Sequence, residues 1–247
     1  MSLSPVFACA HRGASRDFPE NTIPAFAEAV RLGCGMVEFD VRATADGVPV
    51  ILHDPTVDRT SDGAGTIWEL DFLQVEALDA AAGHAAHAGV GIPTLTAVLD
   101  FLPAGLELNI HVYPGPADGP SLVDRVCHEI RERDLLATAF IAGDDEVMRL
   151  VVDRDPRVRR CLLGSQGRAH VYAELAHEFG CSNCQPHNSI TDRALCDRAH
   201  GLGLTVHPFY ADDLDEMRRL IDCGVDGILT NRPALLIDLL DSLEQRE

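Results

Sequence analysis

Five residues in the first quarter of the chain combine proton-transfer groups, metal ligands and a phosphate-binding cation: His11, Arg12, Glu38, Asp40 and His53. Glu38 and Asp40 are two residues apart in an apolar segment. If that segment is a strand, both carboxylates face the same side and can share one hard divalent cation. An arginine binds phosphate oxygens in a bidentate fashion, and two histidines can act as general base and general acid. This set of residue types predicts phosphodiester chemistry.

The elements that must position these residues are short apolar runs that alternate with amphipathic stretches along the whole chain. Such alternation is typical of repeated βα units around a parallel sheet. Eight strands are predicted, at residues 6–10, 36–42, 106–112, 138–142, 158–163, 181–185, 204–209 and 226–230. Eight such units in 247 residues predict a TIM-type (β/α)8 barrel of the α/β class, in which catalytic residues lie at the carboxyl ends of the strands.

Two helices show clear end signals. Apolar residues recur at helical spacing behind Thr22 and Pro24, and Gly33 is placed to end that first helix. Near the carboxyl terminus, Asn231 with Pro233 predicts a cap and a first turn for the last helix.

One interval is too long for a plain βα loop. About fifty residues separate the second barrel strand from the third, and their first part is rich in turn formers. We therefore expect one domain over residues 1–247, with an insertion at about 54–92 that rises from the carboxyl-terminal face and shapes a substrate pocket.

The composition limits the partners. A hydrophobic fraction of 46% and a charged fraction of 24% match an ordinary globular domain. The formal net charge of −19 repels nucleic acid and anionic membrane surfaces, so we expect neither as a partner. Residues 1–10 show neither a signal peptide nor a membrane anchor, which predicts a cytoplasmic protein without stable membrane insertion and with reduced cysteines. Nothing in the sequence indicates an oligomeric state.

Several short motifs follow one another in an order that resembles the glycerophosphodiester phosphodiesterase family. They are HRG at 11–13, PENT at 19–22, EFDV at 38–41, DG at 46–47, HDPTVDRT at 53–60, GLGLTVHPF at 201–209 and GVDGILTNRP at 224–233. Each motif is weak alone, but their combination is specific. The resemblance covers nearly the whole chain and is strongest over 8–70 and 190–235.

The resemblance implies metal-dependent hydrolysis of a small glycerophosphodiester to glycerol 3-phosphate and an alcohol. His11 and His53 would be the catalytic acid/base pair, and Arg12 would bind the phosphate. Glu38 and Asp40 would bind one divalent metal ion, which the resemblance gives as Mg or Ca, and Glu20 would contact the metal or a glycerol hydroxyl. The nucleophile is either the substrate's own hydroxyl, through a cyclic phosphate, or water.

The third barrel strand departs from the family pattern. The family ordinarily carries a metal-binding glutamate there and a phosphate-binding lysine two residues later, whereas this chain has His111 and Tyr113. An imidazole suits Mn, Co or Zn better than Mg or Ca, so His111 as third ligand leaves the metal open. Tyr113 offers a hydrogen bond to phosphate but no positive charge.

Two further positions are predicted to line the substrate pocket. Phe209 resembles the family's pocket wall, and His187 follows the sixth predicted strand, where it can reach the mouth of the site. Two alternatives to the leading hypothesis remain: a phosphodiesterase for another substrate, such as a lysophospholipid, and a catalytically weak protein that binds phosphate esters.

Overall fold

The computed structural model describes residues 6–81 and 83–245 and shows an almost closed barrel of parallel strands surrounded by helices. The barrel strands are β1 (Phe7–His11), β2 (Met36–Ala43), β4 (Glu107–Val112), β5 (Ala139–Gly143), β6 (Arg159–Leu162), β7 (Asn183–Cys184), β8 (Thr205–Val206) and β9 (Gly227–Thr230). Each agrees with one of the eight predicted strands, so the predicted barrel is confirmed. The β8 and β9 segments at the two edges of the sheet are joined by individual backbone hydrogen bonds, such as Asp226 N to Val206 O at 2.9 Å.

One strand was not predicted. After β2 the chain turns back at Asp46 and Gly47, and β3 (Pro49–Ile51) pairs antiparallel with the end of β2. Gly47 has φ of +80°, a conformation that favours glycine. The return of the chain carries His53 back towards the carboxyl end of the barrel, where Leu52 N donates to Asp40 O at 3.0 Å.

The helices cover the outside of the barrel and bury one apolar face each. They are α1 (Ile23–Leu32), α2 (Phe72–Glu76), α3 (Leu95–Phe101), α4 (Gly119–Glu132), α5 (Asp145–Arg154), α6 (Tyr172–Glu178), α7 (Arg193–Gly201), α8 (Leu214–Cys223) and α9 (Pro233–Glu244). Gly33 ends α1 in the left-handed conformation, as predicted. Within the described residues, none of these helices has both the length and the apolar character that a bilayer crossing requires.

The predicted cap of the last helix is wrong. Arg232 precedes the first turn of α9, and the side chain of Asn231 is directed to other partners. A helix-capping residue accepts a hydrogen bond from an unpaired backbone N–H group of the first turn with its side chain. The side-chain amide of Asn231 instead contacts His11 through its oxygen and Asp212 through its nitrogen.

The apolar core has three parts. The largest lies between the strands and the surrounding helices, and includes the edge-to-face pair Phe26 and Phe39, whose ring centroids are 5.9 Å apart. A second part fills the barrel interior around Cys9, Met36 and Phe140. A third lies in residues 50–92, where Val57, Ile67 and Val75 are buried together with Val50 of β3. Residues 54–92 therefore pack on the barrel around apolar contacts of their own.

Candidate active site

Strand β2 places two carboxylates inside the barrel, at its carboxyl end. Glu38 and Asp40 are both 1% exposed, and Asp40 is paired in register with His111 of β4. Each of these three residues offers a ligand atom within 4.8 Å of the other two. The sequence predicted the same trio as metal ligands, and the fold brings it together.

The donor set fits a divalent cation. Asp40 Oδ1 is buried and, within the described part of the chain, has no hydrogen-bond partner, although it lies 3.4 Å from His111 Nδ1. A buried carboxylate oxygen without a donor is costly unless a cation completes its environment. Carboxylate and imidazole groups are both common ligands of divalent cations in proteins.

The two carboxylates differ in their electrostatic surroundings. Burial, followed by the charge of Asp40, raises the pKa of Glu38 well above its usual value. Burial alone would raise the pKa of Asp40 too, but the contacts with His111 and Arg12 hold it well below its usual range. Without a cation, one negative charge therefore resides on Asp40 and Glu38 favours its protonated form.

Arg12 links the end of β1 to both carboxylates. It adopts φ of +59°, and its backbone N–H donates to Glu38 Oε2 at 2.9 Å. Its guanidinium contacts Glu20 Oε1 at 2.9 Å and Asp40 Oδ2 at 3.2 Å. Because the guanidinium is 16% exposed, it is fixed beside the metal ligands yet reachable from solvent.

His11, at the end of β1, is fixed by an amide. Its Nδ1 lies 2.7 Å from Asn231 Oδ1, while Asn231 Nδ2 donates to Asp212 Oδ2 at 2.6 Å. Since Asp212 requires the amide N–H, the Asn231 oxygen faces His11 and accepts the Nδ1 proton. The Nε2 atom of His11 is therefore the unprotonated one. Burial, followed by the Arg12 charge, lowers the pKa of His11 to about 4, so the ring is neutral at pH 7.

His53 is fixed by a carboxylate instead. Its Nδ1 lies 2.6 Å from Asp54 Oδ1, and its Nε2 lies 3.4 Å from the hydroxyl of Tyr113. Arg42 Nε donates to the backbone oxygen of His53 at 2.8 Å. The two histidines therefore differ in the group at Nδ1, which is an amide oxygen for His11 and a carboxylate oxygen for His53.

Tyr113 covers the His111 ring, with 3.8 Å between the ring centroids. The buried Arg42 guanidinium lies 4.7 Å from the centre of the Tyr113 ring. Burial raises the pKa of Tyr113, so its hydroxyl stays neutral and can only donate or accept hydrogen bonds.

A polar cavity of about 300 Å³ opens beside His11 and Arg12, and Tyr210 forms part of its wall. The Tyr210 ring stacks on His11 with a centroid distance of 5.2 Å and an interplanar angle of 18°. The predicted pocket residues Phe209 and His187 contact each other with ring centroids 5.3 Å apart. His187 is exposed and directly precedes a short 3-10 helix (Asn188–Ile190), and neither His187 nor Phe209 lines the cavity beside His11 and Arg12.

Several polar residues of the site were not singled out from the sequence for this role. Asn21 donates to Asp40 Oδ2 at 2.8 Å, Arg59 contacts both Glu20 and Asp54, and Asp54 contacts His53. Asn21 lies inside the PENT motif, and Asp54 and Arg59 lie inside the HDPTVDRT motif. Their place in these motifs was the sequence signal that could have identified them as site residues. Arg42 was also missed, although its position in the sequence indicated a place in the site. It follows Glu38 and Asp40 at the same two-residue spacing along β2, so its side chain faces the same side.

A sequence model of the Glycerophosphoryl diester phosphodiesterase family matches residues 11–235 of this chain. The chain is 31% identical to the Glycerophosphodiester phosphodiesterase of Caldanaerobacter subterraneus subsp. tengcongensis over 234 residues, which cover 94% of this chain and 96% of that protein. It is 25% identical to a Glycerophosphodiester phosphodiesterase of Bacillus subtilis over 255 residues, 94% of this chain and 86% of that protein.

Solved structures share the fold over almost the whole chain. The glycerophosphodiester phosphodiesterase of Agrobacterium tumefaciens superimposes with a TM-score of 0.83 at 26% identity, over 94% of this chain and 99% of that one. An Oleispira antarctica phosphodiesterase, solved in complex with its product sn-glycerol-3-phosphate, gives a TM-score of 0.88 at 23% identity, over 96% of this chain and 97% of that one.

Proposed function

Since the chain belongs to the glycerophosphoryl diester phosphodiesterase family, we propose that it hydrolyses small glycerophosphodiesters to glycerol 3-phosphate and an alcohol. Residues 1–247 would form one catalytic domain, with an insertion at about 54–92. The observation that carries it is the contrast between the two histidines, one anchored by an amide and the other by a carboxylate, beside a cluster of metal ligands.

In this proposal His11 is the general base. Its Nε2 atom is free of a proton at neutral pH, because Nδ1 donates to Asn231 and burial keeps the ring uncharged. It takes the proton from the attacking hydroxyl, which belongs either to the substrate's glycerol or to water. Tyr210 and Ser15 support this geometry. Tyr210 stacks on the ring, and the Ser15 hydroxyl lies 2.7 Å from the backbone oxygen of His11 and 2.9 Å from Asn231 Oδ1.

His53 is the general acid. Asp54 stabilises its protonated form through Nδ1, so that Nε2 can donate a proton to the oxygen of the departing alcohol. Tyr113, whose hydroxyl lies near Nε2, is placed to contact the same oxygen or a phosphate oxygen. Arg12 binds the phosphate, and Glu20 orients Arg12.

Glu38, Asp40 and His111 would bind one divalent metal ion. The chemistry that such an ion would supply there is polarisation of phosphoryl oxygens and stabilisation of the negative charge that develops in the transition state. The imidazole ligand favours Mn, Co or Zn, whereas the two carboxylates also suit Mg or Ca.

The test is a turnover assay with metal-reconstituted protein and a panel of glycerophosphodiesters plus one lysophospholipid. We expect release of glycerol 3-phosphate, and a loss of at least ~100-fold on His11→Ala or His53→Ala, the usual contribution of acid/base catalysis. Both variants should keep metal affinity, because neither ring belongs to the ligand cluster. Full activity in both variants, or ligand binding without turnover under every metal, would contradict the proposal.

A further inference from the structure

Arg59 connects two carboxylates that serve different parts of the proposed site. Its two terminal nitrogens bind both oxygens of Glu20 at 2.8 Å each, and its Nε binds Asp54 Oδ2 at 2.5 Å. The other oxygen of Asp54 binds His53, and Glu20 also binds Arg12. A continuous chain of contacts thus runs from the proposed general acid to the proposed phosphate-binding arginine.

We propose that Arg59 is a positioning residue for both ends of this series of contacts. It holds Asp54 against His53 and Glu20 against Arg12. This inference rests on the proposed function, because it assigns a role to His53 and Arg12 in catalysis. Arg59 itself belongs to the segment expected to be an insertion, and that segment would then take part in building the site.

An exposed ion pair ordinarily contributes little, and the Arg59 side chain is 48% exposed. Three features distinguish this one. The guanidinium makes a two-pronged contact with one carboxylate and a third contact with another, so its orientation is fixed from both sides. Both partner carboxylates are shielded, with side-chain exposures of 18% for Glu20 and 25% for Asp54. Each partner also has its other contact inside the site, so a movement of Arg59 changes the geometry of His53 and Arg12.

The contacts of Arg59 also set the charge that His53 meets. Arg59, followed by His53, lowers the pKa of Asp54 to about 2 against the opposing effect of burial, so the carboxylate stays ionised. Arg59 and His53 share the Asp54 carboxylate. Removal of the Arg59 guanidinium therefore leaves the full negative charge of Asp54 to His53, whereas removal of the Asp54 carboxylate leaves His53 without a negative partner at Nδ1. The titratable and charged groups near His53 come from its own segment, β2, β4, the residue after β4 and the loop before α1. They are Asp54, Arg59, Asp40, Arg42, His111, Tyr113 and Glu20.

These contacts predict opposite effects for two variants that remove the same ion pair, between Arg59 and Asp54. With metal-loaded protein, we expect Arg59→Gln to lower kcat/KM on the order of 10- to 100-fold, the cost of misplaced catalytic groups, and to move the alkaline limb of the pH profile upwards. Asp54→Asn should move that limb downwards, because the protonated acid loses its carboxylate. Arg59→Lys, which retains the charge without the fork, should restore part of the activity.

Arg31 provides the matched control. It forms a two-pronged pair with Glu28 on the outer helix α1, at 2.7 and 2.6 Å, and its side chain is 68% exposed. Arg31→Gln should change neither kcat/KM nor the position of the alkaline limb of the pH profile. The role of Arg59 is overturned if Arg59→Gln stays within about threefold of the wild type, or if it loses activity equally at all pH values together with its melting temperature.

A second measurement separates this inference from the proposed function. The His53 imidazole can be followed by NMR titration and assigned by its absence in His53→Ala, without any turnover. Opposite displacements of that titration in Arg59→Gln and Asp54→Asn support the positioning role even in a protein that hydrolyses none of the substrates. Titrations that coincide with the wild type overturn it.

Discussion

Replacement of Glu38 by glutamine should abolish metal-dependent stabilisation without weakening the metal-free protein. Glu38 is buried beside Asp40, and burial and the Asp40 charge raise its pKa well above the ordinary value. A carboxyl group with a raised pKa contributes stability below its unfolded pKa, near 4.5, and loses that contribution as the pH rises through the folded value. At neutral pH the uncharged amide of Glu38→Gln avoids this loss of stability, and its oxygen can still accept the hydrogen bond from Arg12 N.

The magnitudes follow from the distances. Two ionised carboxylates within 4.8 Å repel each other by about 3 kcal/mol at an effective dielectric constant near 20, before the attraction of Arg12 is subtracted. A cation present at a hundred times its dissociation constant stabilises the folded state by about 2.7 kcal/mol. For a chain of this size, that amounts to a rise in melting temperature of roughly 5–10 °C.

The measurement is thermal unfolding of chelator-treated protein, with and without Mg, Ca, Mn, Co or Zn. Wild-type protein and Glu28→Gln, a control on the exterior of α1, should show the rise, and Glu38→Gln should not. In the absence of metal, Glu38→Gln should melt at or above the wild-type temperature. An unchanged metal response in Glu38→Gln would refute the assignment of Glu38 as a ligand, and a metal-free protein that is several degrees less stable would refute the electrostatic argument.

Two more substitutions test the chemistry of the site. His111→Glu adds a third carboxylate to the cluster, so activity or thermal stabilisation should shift from Mn, Co or Zn towards Mg or Ca; an unchanged metal ranking would exclude His111 as a ligand. Asn231→Asp places a carboxylate at His11 Nδ1, which favours the protonated ring, so the acidic limb of kcat/KM should move from near pH 4 towards neutrality. A limb that stays in place in Asn231→Asp would show that His11 is not the base.

The barrel and its strands were predictable because each βα unit has a local signature. Apolar runs, helical periodicity and end signals such as Gly33 act over a few residues, and all eight barrel strands agree with the structure. The pair Glu38 and Asp40 was predictable for the same reason, since alternation along a strand alone puts both side chains on one face. Strand β3 escaped prediction because three residues are too few to show a period.

The partners of the two histidines were less accessible from sequence. His11 and Asn231 are 220 positions apart, and only closure of the barrel between β1 and β9 brings them together. Asn231 precedes Pro233, so its local context predicts a helix cap, and the tertiary contact overrides that preference. Asp54 and Arg59 lie in a turn-rich segment, where polar residues usually satisfy the turn itself. Their contacts with His53 and Glu20 depend on how this segment packs on the barrel.

The charge of the site explains why a cation and the substrate would bind together. This strongly acidic chain has no lysine, and three of its arginines lie among four carboxylates at the barrel end. These residues are Arg12, Arg42 and Arg59 with Glu20, Glu38, Asp40 and Asp54. Without a cation Glu38 favours its protonated form, so this set has no net positive charge to attract a phosphodiester. A divalent cation with Glu38 ionised would give the set one positive charge, and one phosphodiester anion would then bring it to neutrality. Cation and substrate should therefore each raise the affinity for the other, because either one alone leaves the buried charges unbalanced.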